Sequence, residues 1–176
     1  MREEDYLRLT DESTRLIEFT DGTIEVLPMP TDRHQGLLLV VVRILLPYLD
    51  PRGGLVRFAP LRRQVRPGKF REPDLLLFLD RLDPRRDDRV WSGADLVLEV
   101  VSPAIPERDT EEKRRDYAGA RIPEDWIVNP IDETITVLVL AQGDYREHGV
   151  FRRGERATSV VLAGFDVAVD QVFAAE

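Results

Sequence analysis

Two almost uninterrupted apolar segments constrain the fold of this chain more than any other feature of its sequence. They cover residues 73–79 (PDLLLFL) and 94–101 (ADLVLEVV). A strand with one solvated face alternates apolar and polar residues, whereas a continuous apolar run is typical of a central strand covered on both faces. The two segments therefore predict neighbouring central strands of a sheet.

The remaining pattern predicts a mixed α/β (α+β) fold, with helices packed on a mixed sheet. Asp21-Gly22 predicts a hairpin turn between strands at 15–19 and 23–27. A long helix is expected from Thr31 or Asp32 to about Asp50. Further strands are predicted at 55–58, 61–65, 126–128, 134–140 and 145–150, helices at 3–9 and 108–120, and short elements at 160–162 and 170–174. Because the chain has no internal repeat and no long linker, residues 1–176 are expected to form one domain.

Composition excludes several classes of function. The 176 residues include no cysteine, so disulfides, thiolate metal sites and thiol catalysis are excluded. The longest apolar run, residues 37–42, is far shorter than the roughly 20 residues of a membrane span. The acidic start, residues 1–5, argues against a secretory signal, so a cytoplasmic location is expected. A net charge of −8 argues against tight non-specific binding of nucleic acid, but metal-binding carboxylates contribute to that charge.

Asp74 stands near the start of the first apolar segment, and Glu99 lies in the interior of the second. A buried carboxylate is costly unless it is paired, hydrogen-bonded or bound to a cation. Two carboxylates on neighbouring strands also repel each other, and a divalent cation such as Mg²⁺ or Mn²⁺ would relieve that repulsion. The alternative is that Asp74 lies at the solvent end of its strand and that Glu99 pairs with an arginine.

Lys113 is expected to lie close enough to Asp74 and Glu99 for its side chain to reach them. The second strand ends at Ser102-Pro103, and a helix is expected to begin at about Asp109, which is predicted to cap it. Lys113 then lies one turn into the helix and can point back to the end of the strand. The chain has one other lysine, Lys69, beside many arginines. The alternative is a solvated surface lysine.

A set of motifs in a fixed order resembles the Uma-two family of the PD-(D/E)XK restriction-endonuclease-like superfamily. The resemblance runs from about Tyr6 to Tyr145. The motifs are IEFTDG (17–22), DRHQ (32–35), EPDL (72–75), DLVLEVVSP (95–103), Arg108-Asp109, Lys113, Tyr117 and IPEDWIV (122–128).

The resemblance implies a restriction-endonuclease-like central mixed β-sheet flanked by helices, with a metal site at one end of the central strands. It assigns the two metal-binding, catalytic acids to Asp74 and Glu99. The superfamily's usual lysine position holds Val101 here, and Lys113 matches the lysine that has moved to the following helix. Glu18 matches a further acid that joins the metal site or supports it.

The function implied is that of an endonuclease that uses Mg²⁺, or Mn²⁺, to hydrolyse phosphodiester bonds of nucleic acid, with DNA as the expected substrate. Lys113 would orient the attacking water or stabilise charge on phosphate oxygens. Gln35 or His34 would contact the substrate or the metal-bound water, although His34 can equally be a capping or surface residue. A homodimer is compatible with such a function, and apolar residues of the 134–140 segment are the suggested contact surface.

Two further alternatives stay open. The chain can be a non-catalytic nucleic-acid-binding or regulatory module that keeps the nuclease fold, or a metal-dependent hydrolase of another substrate. Basic residues of the 62–89 region could form a rim for a nucleic-acid backbone or could be paired with acids on a solvated surface. They are Arg62, Arg63, Arg66, Lys69, Arg81, Arg85, Arg86 and Arg89.

Overall fold

The computed structural model describes residues 1–103 and 106–174. Its helices are α1 (Glu3–Asp11), α2 (Asp32–Leu49), α3 (Lys113–Gly119) and α4 (Val169–Phe173), with a 3₁₀ turn at Asp50–Arg52 and a π-helical turn at Arg108–Glu112. Its strands are β1 (Ile17–Thr20), β2 (Thr23–Val26), β3 (Leu55–Phe58), β4 (Arg62–Arg66), β5 (Lys69–Arg71), β6 (Leu75–Phe78), β7 (Val90–Trp91), β8 (Leu96–Val100), β9 (Glu124–Asn129), β10 (Thr134–Ala141), β11 (Asp144–Phe151), β12 (Arg156–Thr158) and β13 (Asp166–Ala168).

The main sheet has six strands in the order β11-β10-β9-β8-β6-β3. β8 and β9 are parallel, and the π-helical turn and α3 lie between them in the chain. The other neighbouring pairs are antiparallel. This arrangement confirms the predicted mixed sheet and its crossover helix.

The two apolar segments form β6 and β8, which are neighbours and are buried along their whole length. Alternate residues of each strand point to opposite faces of the sheet. Leu75 and Leu77 pack in the same core as α2 and α4, whereas Leu76 and Phe78 pack in the core that contains Tyr117 of α3. Within the described residues, no helix combines the length and apolar character needed to cross a membrane.

A second sheet, in the order β2-β1-β5-β4-β7, carries α1 on a small core of Tyr6, Ile17, Phe19 and Phe70. The sequence does not reveal β5 or β7, because both are very short and β5 is mostly basic. The stacking of Tyr6 on Phe19 and the bond from its hydroxyl to the Ile17 carbonyl tie α1 to this sheet.

Two expectations for the C-terminal half are wrong. Residues 160–162 form neither a helix nor a strand, since they lie in the turn that connects β12 and β13. The 134–140 segment does not offer an apolar contact surface, because β10 lies between β9 and β11 and buries Ile135, Val137 and Leu138.

Asp125 of β9 is a buried acid outside the predicted site. It is fully buried opposite Val97 and Leu138, and its two carboxylate oxygens have no hydrogen-bond partner among the described residues. Burial raises the pKa of Asp125 to about 7. The folded state therefore binds this proton more tightly than the unfolded state does.

We expect Asp125 to make the folded protein less stable as the pH rises. Its favourable contribution is complete below the unfolded pKa of about 4 and is lost as the pH rises to about 7, a change of about 2–4 kcal/mol. Asp125→Asn cannot ionise, so urea unfolding at pH 5 and pH 8 should show a smaller loss of stability for the variant than for the wild type. Exposed Asp88→Asn is the control and should keep the wild-type difference. Equal differences in wild type and Asp125→Asn would contradict this assignment.

Candidate active site

Asp74 and Glu99 meet at one end of the central strands. β6 and β8 are antiparallel with Leu75 opposite Leu98, so Asp74, one residue before Leu75, lies beside the end of β8. The backbone N–H of Val100 donates to Asp74 Oδ2 over 2.8 Å. The register of the sheet therefore fixes this carboxylate next to Glu99.

His34 completes the contacts of Asp74. It lies in the first turn of α2, whose N-cap Thr31 accepts the His34 N–H over 3.2 Å. A hydrogen bond of 3.0 Å joins His34 Nε2 to Asp74 Oδ2. Burial disfavours the charged imidazole, but the bond to Asp74 and its charge outweigh burial and raise the pKa of His34. Of the described residues, none is hydrogen-bonded to the other oxygen, Asp74 Oδ1.

Glu99 is fully buried and is held by two side chains of α3. Lys113 Nζ lies 2.7 Å from Glu99 Oε2, and the hydroxyl of Tyr117 donates to Glu99 Oε1. Lys113 and Tyr117 are four residues apart and so lie on one face of the helix. Burial, together with the charges of Asp74 and Asp109, raises the pKa of Glu99 well above its usual value, and Lys113 opposes this shift.

Asp109 is the third acid at this place, and the sequence did not identify it as a site residue. Pro106 and Glu107 are already helical, so Asp109 lies inside the helical segment and does not cap it as predicted. Its Oδ2 accepts the N–H of Ser102 over 3.0 Å, and its Oδ1 lies 3.1 Å from Lys113 Nζ. The i,i+4 spacing of Asp109 and Lys113 was the available signal for this pair.

Lys113 is thus a buried cation surrounded by carboxylates. Burial alone would lower the pKa of Lys113, but Glu99, Asp109 and Glu18 outweigh it, and the pKa is raised well above its usual value. One ammonium faces three carboxylates in this cluster, those of Asp74, Glu99 and Asp109. Where these acids are ionised, their charges outnumber that of the ammonium and favour a further cation, and His34 beside Asp74 offsets this excess when it is protonated.

A cavity of about 320 Å³, here called the acidic cavity, opens over this cluster. Asp74, His34, Asp109 and Lys113 line it, whereas Glu99 lies behind Lys113 and does not. No group of three or more acidic or histidine side chains is placed to hold a metal ion among the described residues. Mg²⁺, however, is commonly held by one or two carboxylates and keeps several waters, so this oxygen donor set with its excess negative charge fits such an ion.

Glu18 is close to the acidic cavity but does not line it, and it contacts neither Asp74 nor Glu99. Its carboxylate is paired with Arg71 at 2.5 Å and with Arg108, and it accepts the N–H of Glu72 over 3.1 Å. Burial opposes ionisation of Glu18, but Lys113, Arg71 and Arg108 outweigh it and hold its pKa below the usual value.

Glu72 is a second acid that sequence reasoning missed. It precedes Pro73-Asp74 and lines the acidic cavity, and its Oε2 accepts the N–H of Ile17 over 2.9 Å. Burial and the charge of Glu18 raise the pKa of Glu72 to about 8, although the bond from Ile17 acts in the opposite direction.

Most of the predicted basic rim is paired with acids elsewhere. Arg62 and Arg89 bind Asp11, Arg66 binds Asp21, Lys69 binds Asp116, and Arg85 binds Asp83 and Asp95. Arg63 is not on a rim at all, because it is buried. None of the eight predicted residues lines the acidic cavity, whose cations are Arg33, Arg108 and Lys113. The contacts therefore favour the alternative that most of these basic residues are paired with acids on a solvated surface.

Similarity to known proteins agrees with this architecture. A family model, Uma2, described as "Putative restriction endonuclease", matches residues 3–170. The chain belongs to the Uma2 family. The crystal structure of a putative nuclease belonging to DUF820 from Anabaena variabilis ATCC 29413 is similar, with a TM-score of 0.81 and 18% identity over 99% of this chain and 98% of that one. A comparison with curated proteins finds no match. The resemblance and the fold class predicted from the sequence are confirmed.

We expect the pair of Glu99 and Lys113 to be strongly coupled in stability. Their side chains are 1% and 5% exposed, so Lys113→Met leaves a buried carboxylate without its counter-charge and should cost about 3–5 kcal/mol. The double variant Glu99→Gln/Lys113→Met removes both charges and should recover a large part of that loss. Urea unfolding of the four proteins gives the coupling energy.

Arg115→Met is the matched control, since Arg115 lies on the same helix but is exposed and, among the described residues, is paired only with Glu111. It should change the free energy of unfolding by less than about 0.5 kcal/mol. Additive effects of the two single substitutions at 99 and 113 would contradict the coupling.

Proposed function

We propose that this Uma2 protein is a metal-dependent nuclease that hydrolyses phosphodiester bonds of nucleic acid, with DNA as its substrate. The observation that carries this proposal is the convergence of Asp74 with the buried Glu99–Lys113 pair below the acidic cavity. Family membership supports the same class of activity.

The metal in this proposal is Mg²⁺ or Mn²⁺, and Asp74 and Glu99 are the residues assigned to hold it. Asp74 would offer its open oxygen Oδ1, whereas Glu99 would join only by exchanging its bond to Lys113 or to Tyr117 for the ion. Such an ion, when bound, polarises a phosphate oxygen and lowers the pKa of water. Either ion prefers oxygen ligands, which the carboxylates supply. The acids of the cluster outnumber the ammonium of Lys113, and their charge attracts the cation.

Lys113 is the residue to which we assign stabilisation of the transition state. Its ammonium stays charged among the carboxylates, lines the cavity and is held in place by Glu99 and Asp109. A fixed cation at this point would stabilise negative charge as it develops on the phosphate oxygens.

His34 and Tyr117 act as positioning residues. His34 binds one oxygen of Asp74 and so leaves the other free for an ion. Tyr117 binds Glu99 Oε1, whereas Lys113 binds Glu99 Oε2. Glu18 holds Arg108 beside the cavity and acts through it rather than on the substrate. A homodimer remains a prediction without support from these contacts.

The test combines metal binding with cleavage. Calorimetry with Mn²⁺ and Mg²⁺ should show binding to the wild type and at least about tenfold weaker binding to Asp74→Asn and Glu99→Gln. Cleavage of plasmid and of single-stranded DNA should fall by about 10²–10³-fold in the same variants, the range seen when a group that stabilises the transition state is removed. Exposed Asp88→Asn is the control for loss of an acid and should behave as the wild type.

Lys113→Met tests whether Lys113 stabilises charge on the substrate, as distinct from the acids that hold the metal. The variant has to be assayed below its unfolding temperature. It should bind the metal and fail to cleave. A wild type that binds metal but cleaves neither DNA nor RNA would favour a hydrolase of another substrate. A wild type that binds no metal would favour the non-catalytic module, and the proposal would be wrong.

A further inference from the structure

A second cavity, here called the apolar cavity, lies beside the acidic cavity. Its volume is about 520 Å³. The two cavities share four lining residues, Leu16, Met29, Pro30 and Asp74. A chain molecule whose phosphate reaches Asp74 from the acidic cavity can therefore extend its next chemical group into the mouth of the apolar cavity.

The walls of the apolar cavity expose large apolar side chains to water. Met29 is 73% exposed, Leu39 on α2 is 49% exposed, and Phe58 at the end of β3 is 39% exposed. Leu38 and Val42 of α2 form the deeper part of the wall. Exposed apolar surface that is grouped in one concave place next to a polar site is typical of a ligand-binding site.

The polar groups of this cavity restrict what it can hold. Of the described residues that line it, three have polar side chains: Thr14, Gln35 and Asp74. None of the residues lining it is a cation, so the cavity is unsuited to a second phosphate. Gln35 carries both a donor and an acceptor, which suits the edge of a nucleobase. Phe58 and Met29 provide the flat and the polarisable contacts on which a base stacks.

We propose that the apolar cavity binds one unstacked nucleobase adjacent to the scissile phosphate, so that the substrate is single-stranded or locally unpaired nucleic acid. This inference rests on the proposed function. A base in a duplex is stacked and paired and cannot enter a pocket in a protein unless it is first turned out of the helix. The same reasoning assigns Gln35 to the base and His34 to Asp74, although the two are adjacent in sequence.

The pairing of most of the predicted basic rim with acids agrees with such a substrate. Duplex binding depends chiefly on cations that neutralise phosphates, whereas stacking of a base on an aromatic side chain is worth about 1–3 kcal/mol by itself. Most of the arginines that could have followed a duplex backbone are engaged by acids.

The experiment measures binding without cleavage, by fluorescence anisotropy with Ca²⁺ in place of Mg²⁺. The probes are a single strand of about eight thymidines, an abasic strand of the same length and charge, and a duplex. The wild type should bind the thymidine strand about tenfold more tightly than the abasic strand and more tightly than the duplex. Met29→Ala/Phe58→Ala should bind the two single strands equally. Leu82→Ala, an exposed leucine outside both cavities, should keep the preference.

Each other result overturns a defined part of the inference. Equal binding of thymidine and abasic strands by the wild type contradicts the base site and leaves the cleavage site untouched. Tighter binding of the duplex contradicts the substrate class. Self-association of the wild type that Met29→Ala/Phe58→Ala abolishes, measured by sedimentation, would show that a second copy covers this surface. Failure of the wild type to bind any of the oligonucleotides contradicts both the inference and the proposed function.

Discussion

The buried ion pair of Glu99 and Lys113 is the interaction on which the rest of this structure depends. An ionised carboxylate in the middle of a fully buried strand, such as Glu99 in β8, is costly unless its charge is balanced and its oxygens are hydrogen-bonded. Lys113 and Tyr117 supply both requirements from one face of α3. Because these two contacts are one helical turn apart, the helix can dock on β8 in a single register. The same two contacts therefore determine both how α3 packs on the sheet and how Glu99 and Lys113 are placed in the site.

The charges around this pair are arranged in two layers. Near the cavity, Asp74 and Asp109 add two acids to the pair. Behind it, Glu18 is neutralised by Arg71 and Arg108, and Arg71 in turn binds Asp116 of α3. The second layer joins the second sheet, which contains β1 and β5, to α3, and it keeps Arg108 at the cavity wall. An acid in the first layer gains from a cation, whereas an acid in the second has no open oxygen to offer one.

The parts of this arrangement that follow from local pattern could be predicted from the sequence. Continuous apolar runs gave β6 and β8, and the helical repeat placed Lys113 one turn from the end of the strand. The contacts that depend on register could not be predicted: which acid faces which base is set by the pairing of β1, β5 and β8 with elements far away in sequence. Glu18 thus lies with two arginines rather than with Asp74, and Asp109 faces Lys113 instead of capping its helix. Composition alone also could not show that the arginines of the 62–89 region have acidic partners.

These paired arginines affect how this acidic chain could bind a polyanion such as nucleic acid. Counterion release needs cations that are free to meet phosphates, and here Arg108 and Lys113 at the cavity already bind carboxylates. Each phosphate contact at these residues would have to compete with an ion pair that is mostly buried. The exposed Arg33, whose contact with Glu133 is 3.6 Å long, is the cation of the cavity that is most easily released. In the proposed nuclease, affinity would then come largely from a metal held by the acids of the acidic cavity and from the apolar contacts beside it. An acidic net charge is compatible with a nuclease under this condition, because the negative charge that repels the substrate is the same charge that attracts the ion.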